Sequence, residues 1–190
     1  MNTYDFDKTI FYPDSSMTFV LWYMRRHPLT FLLWAPRMAV IVPLYLLKLI
    51  PKETLKEHIF SFVRRIDDID AVLKVYWDEH ESRIAPWYRA QHRKDDIVIS
   101  ASPEFVVKPM TDRLGIELIA SPMDKHTAKM HGKNCFGEEK VRRFYEAHPG
   151  AVTEAFYSDS LSDAPMARIA HKAYLIVNKG QTPVPWPKEK

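Results

Sequence analysis

The stretch that decides the fold is Thr3-Tyr4-Asp5-Phe6-Asp7-Lys8-Thr9, in which a short strand-like run leads directly into two carboxylates. Side chains alternate along a strand, so Asp5 and Asp7 project to one side while Phe6 points into the core. Two carboxylates this close repel each other unless a cation lies between them, and hard oxygen ligands suit Mg²⁺. The stretch therefore predicts the end of a buried strand at which a magnesium ion binds.

Apolar runs bounded by polar residues predict the remaining strands. They are 97–100, 116–120, 154–158 and 174–177, and helical segments lie between them at 104–114, 138–147 and 163–171. This alternation predicts an α/β fold with a Rossmann-like parallel sheet covered by helices on both faces. Ligands of such sheets bind at the carboxyl ends of the strands. Asp5, Ser100 and Asp159 all fall at predicted strand ends, which marks that edge as the candidate site.

A second acidic pair follows the strand predicted at 154–158. Asp159 and Asp163 lie four residues apart, so they can share one face of a strand-to-helix turn. Helix capping is an alternative explanation for Asp7 or Asp159 taken alone. Two acidic pairs at two strand ends favour a metal site instead, and a magnesium site implies a phosphate-bearing ligand.

The segment between the first two strands interrupts the alternation. It has helical periodicity over 18–26, 29–47, 52–63 and 71–91, with prolines at or near several boundaries. We therefore predict a core domain formed by 1–12 and 94–190. Residues 13–93 are predicted to form an all-helical cap, inserted after the first strand and lying above the strand ends.

Composition excludes several classes of protein. The 190 residues include one cysteine, Cys135, and five glycines, which argues against a disulfide framework, a multi-cysteine zinc site and a glycine-rich nucleotide loop. A net charge of +3 is no indication of nucleic-acid binding. The two carboxylates near the N-terminus lie where a signal peptide requires apolar residues, so we expect a cytoplasmic protein. The tail at 180–190 is expected to be extended and poorly packed.

The order and spacing of four motifs resemble those of the haloacid dehalogenase-like phosphohydrolases. The first is Asp5-Phe6-Asp7-Lys8-Thr9, which matches the DxDxT pattern of that family. Ser100 after an apolar strand resembles the second motif, Lys140 the third, and the segment from Ser158 to Asp163 the fourth. A helical insertion after the first motif is similar to the phosphoserine-phosphatase-like branch.

The resemblance implies a role for each matching residue. Asp5 would be the nucleophile that forms an aspartyl-phosphate, and Asp7 the general acid and then the general base. Phosphate would be bound by Ser100 and Lys140, with Thr9 orienting the loop. Mg²⁺ would be held by the following groups: the Asp5 carboxylate, the Asp7 carbonyl oxygen, Asp159 and Asp163. Lys133 is an alternative to Lys140, and Ser102 is either a further phosphate-binding residue or a helix cap.

Residues 29–50 are almost wholly apolar and about as long as a membrane span, roughly 20 residues. They are interrupted by Pro36, Arg37, Pro43 and Lys48, which disfavours a simple span. Basic flanking residues favour a helical hairpin lying in an anionic membrane surface. The core of the cap or a dimer interface explains the same composition, and the oligomeric state is left open.

Within the family, the chain most resembles phosphatases of the phosphatidylglycerophosphatase C type. That resemblance implies a lipid phosphomonoester as substrate and a location at the inner face of the cytoplasmic membrane. The alternatives are a phosphatase of a soluble ester such as phosphoserine or a sugar phosphate, a phosphotransferase, and a membrane-peripheral binding module without catalytic activity.

Overall fold

The structure, a computed structural model, describes residues 1–187. One sheet contains the strands β1 (Asn2–Tyr4), β2 (Ile97–Pro103), β3 (Glu117–Ser121), β4 (Thr153–Ser158), β5 (Ala170–Val177) and β6 (Thr182–Pro185). Their spatial order is β3-β2-β1-β4-β5-β6, with β1 to β5 parallel and β6 antiparallel to β5. The predicted α/β fold with a parallel sheet is confirmed for β1 to β5, and β6 adds an antiparallel edge strand that was not predicted.

Five helices lie between β1 and β2. They are α1 (Ser15–Arg26), α2 (Pro28–Leu46), α3 (Lys52–Ile59), α4 (Ile69–His80) and α5 (Pro86–Gln91). The helices between the later strands are α6 (Glu104–Leu114), α7 (Glu138–Ala147) and α8 (Ala164–Ile169). A 3₁₀ turn at Leu161–Asp163 precedes α8.

Two hydrophobic cores cover the two faces of the sheet. Neighbouring residues of β2 alternate between them: Val98 belongs to the first core, and Ile97 and Ile99 belong to the second. The first core includes buried residues of α1, α4, α5 and α6, and the second includes Phe144 of α7 and Met166 of α8. Alternation along the strand therefore gives helices on both faces, as predicted.

Helix α4 packs against α6 and the turn after β1, and α5 packs against β1. Trp77 of α4 contacts Phe6 edge to face and donates a hydrogen bond from Nε1 to the Val106 carbonyl oxygen at 2.8 Å. Tyr88 of α5 lies edge to face against Tyr4 of β1. The division into a core at 1–12 and 94–190 and a cap at 13–93 remains a prediction, since these helices share one hydrophobic core with the sheet.

The predictions that were wrong include two helix boundaries and the packing of the tail. The single helix predicted at 71–91 is α4 and α5, which are separated because Pro86 disfavours the helical conformation at Ala85. The helix predicted at 163–171 ends at Ile169, where β5 begins. The tail predicted to be poorly packed forms β6, and the ring of Trp186 lies 6.1 Å from that of Phe156. Residues 188–190 of that tail lie outside the described chain.

Helix α2 is the one described helix that is long and apolar enough to cross a membrane by length and composition. It is mostly exposed: Leu29 is 76% accessible and Leu32 is 64% accessible, while Met38 is buried. The helix continues through Pro36 and Pro43. Its aromatic residue Trp34 attaches it to α3 through a hydrogen bond from Nε1 to the Ile59 carbonyl oxygen at 2.8 Å.

Candidate active site

A buried lysine joins two carboxylates at the carboxyl edge of the sheet. Asp5 directly follows β1, Lys140 lies in the first turn of α7, and Asp163 ends the 3₁₀ turn after β4. Lys140 Nζ donates to Asp5 Oδ1 at 2.6 Å and to Asp163 Oδ2 at 2.7 Å. Lys140 is 1% exposed, so its charge is compensated by these carboxylates rather than by water.

Asp7 lies in the turn after β1 and accepts hydrogen bonds from two other elements. The backbone N–H of Ser15, at the start of α1, donates to Asp7 Oδ1 at 2.6 Å. The hydroxyl of Ser102, at the end of β2, donates to Asp7 Oδ2 and lies 2.7 Å from the hydroxyl of Ser16. These bonds hold Asp7 at the junction of the sheet and α1. The turn itself requires Lys8 to adopt a left-handed conformation with φ of 58°.

Two hydroxyl residues support the carboxylates from behind. Thr9 Oγ1 donates to Asp5 Oδ2 at 3.3 Å and accepts a hydrogen bond from the Asp159 backbone N–H at 3.0 Å. Ser158 Oγ donates to Asp163 Oδ2 at 2.7 Å. Thr9 therefore ties the turn after β1 to the turn after β4, and the two acidic motifs are held in a fixed relation.

Burial dominates the electrostatics of the acidic groups. It raises the pKa of Asp5 to about 7, against the opposing effect of the Lys140 charge. Burial, together with the negative charge of Asp14, raises the pKa of Asp7 to about 6. Burial also raises the pKa of Asp159 above its usual value. For Lys140, Asp5 and Asp163 outweigh the effect of burial and its pKa is raised, so the ammonium stays charged at neutral pH.

These groups line one cavity of about 300 Å³. One side of the cavity, at the strand ends, is formed by Asp5, Asp7, Asp159, Asp163, Lys140, Ala101 and Ser102. Helix α3 forms the opposite wall with Lys52, Lys56 and Ile59, together with Phe60, the residue that follows the helix. The cavity thus has a charged floor at the strand ends and a mixed apolar and cationic wall above it.

The structure brings most of the predicted site residues together. Asp5, Asp7, Asp159, Asp163, Lys140 and Ser102 line the cavity. Ser100 and Thr9 are fully buried and do not line it; the Ser100 hydroxyl instead accepts a hydrogen bond from the Ser102 backbone N–H at 3.0 Å. Lys133 is exposed and outside the cavity, whereas Lys140 contacts Asp5. The chemical roles of all these residues remain predictions.

Sequence reasoning missed Lys56 as a site residue. Its Nζ donates hydrogen bonds to the Ala101 carbonyl oxygen and to Asn134 Oδ1. Burial, followed by the charge of Lys52, lowers the pKa of Lys56 to about 8. The available signal was the spacing of Lys52 and Lys56, four residues apart, which places two like charges on one helix face.

The donor set suits Mg²⁺ although no ready-made cage is present. Among residues 1–187, no three His, Cys, Asp or Glu side chains are gathered tightly enough to hold a metal ion by themselves. Magnesium in phosphate sites is held by one or two carboxylates, waters and the phosphate itself, so such a cage is not required. Asp159 lines the cavity, and no side chain of the described chain donates a hydrogen bond to its carboxylate. Asp159 is therefore free to supply an oxygen ligand, and Asp5, whose two oxygens accept hydrogen bonds from Lys140 and Thr9, has further lone pairs to offer.

Comparison with known sequences and structures places the fold. A sequence profile described as haloacid dehalogenase-like hydrolase matches residues 3–168. Among curated proteins, none matches the sequence.

Three solved structures resemble this fold. A protein with unknown function from Bordetella pertussis Tohama I is 18% identical with a TM-score of 0.74, covering 91% of this chain and 87% of that one. A phosphoserine phosphohydrolase-like protein from Francisella tularensis is 11% identical with a TM-score of 0.52, covering 91% and 86%. A HAD family hydrolase from Salmonella enterica serovar Typhi is 13% identical with a TM-score of 0.57, covering 90% and 60%. Identities this low show a shared fold and nothing finer.

Proposed function

Because this chain belongs to the haloacid dehalogenase-like hydrolase family, we propose that it is a magnesium-dependent phosphomonoester hydrolase. The observation that carries the proposal is the position of Asp5. Its buried carboxylate lies at the floor of the cavity and accepts a hydrogen bond from Lys140 on one of its two oxygens. Asp7 lies two residues away on the same cavity wall. A nucleophile, a neighbouring acid and an adjacent cation are the groups that phosphoryl transfer through an enzyme carboxylate requires.

The chemistry follows from these positions. An Asp5 oxygen forms a bond to phosphorus as the bond from phosphorus to the substrate alkoxide breaks, and the Asp7 carboxyl gives its proton to that alkoxide. Asp7, now ionised, accepts a proton from water as the water oxygen bonds to phosphorus and Asp5 is released. The raised pKa of Asp7, about 6, suits a group that both gives and accepts a proton near neutral pH.

Lys140 and Asp163 serve the nucleophile. The Lys140 ammonium offsets negative charge on Asp5 and on the phosphoryl oxygens, and Asp163 fixes the position of Lys140. Mg²⁺ held by Asp5, the Asp7 carbonyl oxygen and Asp159 would supply further charge neutralisation for the phosphoryl group. Asp163 would support that site from behind.

For the substrate we propose a membrane phospholipid phosphate such as phosphatidylglycerophosphate. Support comes from α2, whose exposed leucines continue into Leu47 and Leu49, which are 69% and 66% accessible. This apolar surface reaches the active site, because a neighbouring cavity of about 490 Å³ lined by Leu46 and Leu49 shares Lys52 with it. A peripheral protein at the inner face of the cytoplasmic membrane would bury these leucines among lipid chains.

A soluble phosphomonoester is the second candidate substrate. The solved structure from Francisella tularensis is described as phosphoserine phosphohydrolase-like, and a cavity of about 300 Å³ accommodates a small ester. Phosphotransfer to another acceptor uses the same nucleophile, but Asp7 as a base favours water. A binding module without turnover would need neither Asp5 nor Asp7.

The test is release of inorganic phosphate from phosphatidylglycerophosphate in mixed micelles, from phosphoserine and from an aryl phosphate. We expect turnover with Mg²⁺, none with EDTA, and a loss of at least about 10³-fold in Asp5→Asn. The matched control is Asp112→Asn, an exposed carboxylate on α6 that pairs with Lys108. Turnover of only the soluble esters would refute the lipid substrate. Turnover retained in Asp5→Asn would refute the mechanism.

A further inference from the structure

Helix α3 places two lysines in the wall of the active-site cavity. Lys52 and Lys56 lie one helical turn apart and both line the cavity that contains Asp5 and Asp159. Lys52 Nζ lies 4.6 Å from the centroid of the Phe136 ring. Lys56 Nζ is bound by two neutral oxygens, those of the Ala101 carbonyl and the Asn134 side chain.

Neither lysine is neutralised by an ion pair. Within residues 1–187, no carboxylate oxygen lies within 4.0 Å of either ammonium nitrogen, whereas Lys125 and Lys129 each have one. Two like charges on one helix face repel each other. Burial and this repulsion lower the pKa of Lys56, while Asp7 and Asp14 across the cavity act in the opposite direction. An anion bound between the lysines would relieve the cost of holding them there.

The position of the pair relative to the floor separates it from the reacting phosphate. Lys140 already neutralises Asp5 from the core side, and the lysines of α3 approach from the opposite wall. Lys56 Nζ donates to the carbonyl oxygen of Ala101, the residue next to Ser102. A group bound by these lysines contacts α3, whereas a phosphate bonded to Asp5 contacts Lys140.

We propose that Lys52 and Lys56 form a subsite for a second anionic group of the substrate, distinct from the phosphate that reacts at Asp5. The inference rests on the proposed function, since it describes the leaving-group side of that reaction. The substrate class is a phosphomonoester that also carries a phosphodiester or a carboxylate. Ammonium groups bind either anion through charge-assisted hydrogen bonds.

Four probe substrates separate the second charge from the acyl chains. Glycerol 3-phosphate has neither, 3-phosphoglycerate adds a carboxylate, phosphatidic acid adds acyl chains, and phosphatidylglycerophosphate adds both acyl chains and a phosphodiester. We expect Lys52→Met and Lys56→Met to lower kcat/KM for the doubly anionic probes about 10- to 100-fold more than for the other two, mainly through KM. Lys52→Arg and Lys56→Arg should restore part of the loss. The matched control is Lys94→Met, an exposed lysine outside the cavity.

The outcomes are distinct. A selective loss on both doubly anionic probes supports the subsite, and a selective loss on one of them also identifies its ligand as the lipid phosphodiester or the carboxylate. An equal loss on all four probes, or no loss, overturns the subsite. If the wild-type protein hydrolyses none of the four, this inference is overturned; the proposed function fails only if phosphoserine and the aryl phosphate are not hydrolysed either. Because Lys56 also joins α3 to Ala101 and Asn134, circular dichroism must show folded variants, and Lys52→Met, which breaks no hydrogen bond to the core, gives an independent reading.

Discussion

Replacement of Lys140 by methionine should destabilise the protein strongly, because the lysine is the shared partner of two buried carboxylates. Lys140 Nζ lies 2.6 Å from Asp5 Oδ1 and 2.7 Å from Asp163 Oδ2, and the lysine side chain is 2% exposed. Removing one partner of a buried ion pair leaves an uncompensated charge and costs about 3–5 kcal/mol. For a chain of this size each kcal/mol lowers Tm by about 2–4 °C, so Tm should fall by about 6–20 °C. Thermal unfolding followed by circular dichroism in metal-free buffer measures it.

A double-mutant cycle shows whether the loss belongs to this network. Asp163→Asn combined with Lys140→Met removes one of the two stranded carboxylates, so the double variant should be less destabilised than the sum of the single variants. Lys94→Met removes an exposed lysine and controls for net charge. A Tm of Lys140→Met within 2 °C of that control, on the scale of about 2–4 °C per kcal/mol, or strict additivity in the cycle, would refute the argument.

Three further predictions concern other parts of the molecule. Burial lowers the pKa of Lys56 to about 8 from its unfolded value of 10.5, so the unfolded chain binds more protons between those pH values. The unfolding free energy of the wild-type protein, measured relative to Lys56→Met by urea titration, should therefore rise by at most about 3 kcal/mol from pH 8 to 10.5. Leu32→Glu, at a position that is 64% exposed on α2, should change the unfolding free energy by less than about 0.5 kcal/mol. It should also lower the fraction of protein that sediments with anionic vesicles, and an unchanged fraction would exclude membrane contact through the exposed face of α2. Gly180→Ala should lower both Tm and phosphatase activity more than Gly150→Ala. Both glycines have a positive φ, +82° and +74°, but only a Cβ at Gly180 would meet another atom, the Lys8 carbonyl oxygen at 3.1 Å, since no atom lies within 4 Å at Gly150. Equal effects of the two substitutions would show that backbone strain alone, and not the contact with Lys8, causes the loss.

The positions of the acidic motifs were predictable because the geometry of a parallel sheet leaves little freedom. Once alternating strands and helices were recognised, Asp5 and Asp159 had to meet at the carboxyl edge, and β1 does pair with β4. Between the two serines after the second predicted strand, Ser100 was preferred for phosphate binding and Ser102 was left open. The register of β2 against β3 shifts between Ile99 and Pro103, and it is the Ser102 hydroxyl that reaches Asp7. Such an irregularity has no signature in local hydrophobic periodicity.

Contacts between distant parts of the chain account for what the sequence did not reveal. Lys56 and Ala101 are 45 residues apart, and their hydrogen bond depends on how α3 packs above the sheet. The tail was expected to be loose because of its prolines, yet β6 is an edge strand, where proline is tolerated because one side of the strand needs no donor. Trp87 Nε1 also donates to the Gly180 carbonyl oxygen at 2.8 Å, which anchors the start of that tail.

Helix α3 connects the exposed helix α2 to the active-site cavity. Through Pro51 and the apolar residues before it, α3 continues from the exposed helix α2, and through Lys56 it is joined to the rim of the catalytic floor. An anionic ligand at Lys56 would bind the third donor of the ammonium whose other two donors hold Ala101 and Asn134, so ligand binding and the attachment of α3 to the core are coupled. If α2 lies on a membrane, α3 links the membrane-bound helix to the wall of the cavity. To test this coupling, kcat/KM for the four probe substrates is measured in the wild-type protein and in Lys56→Met, with and without anionic vesicles. Only a substrate with a second charge should respond to the substitution.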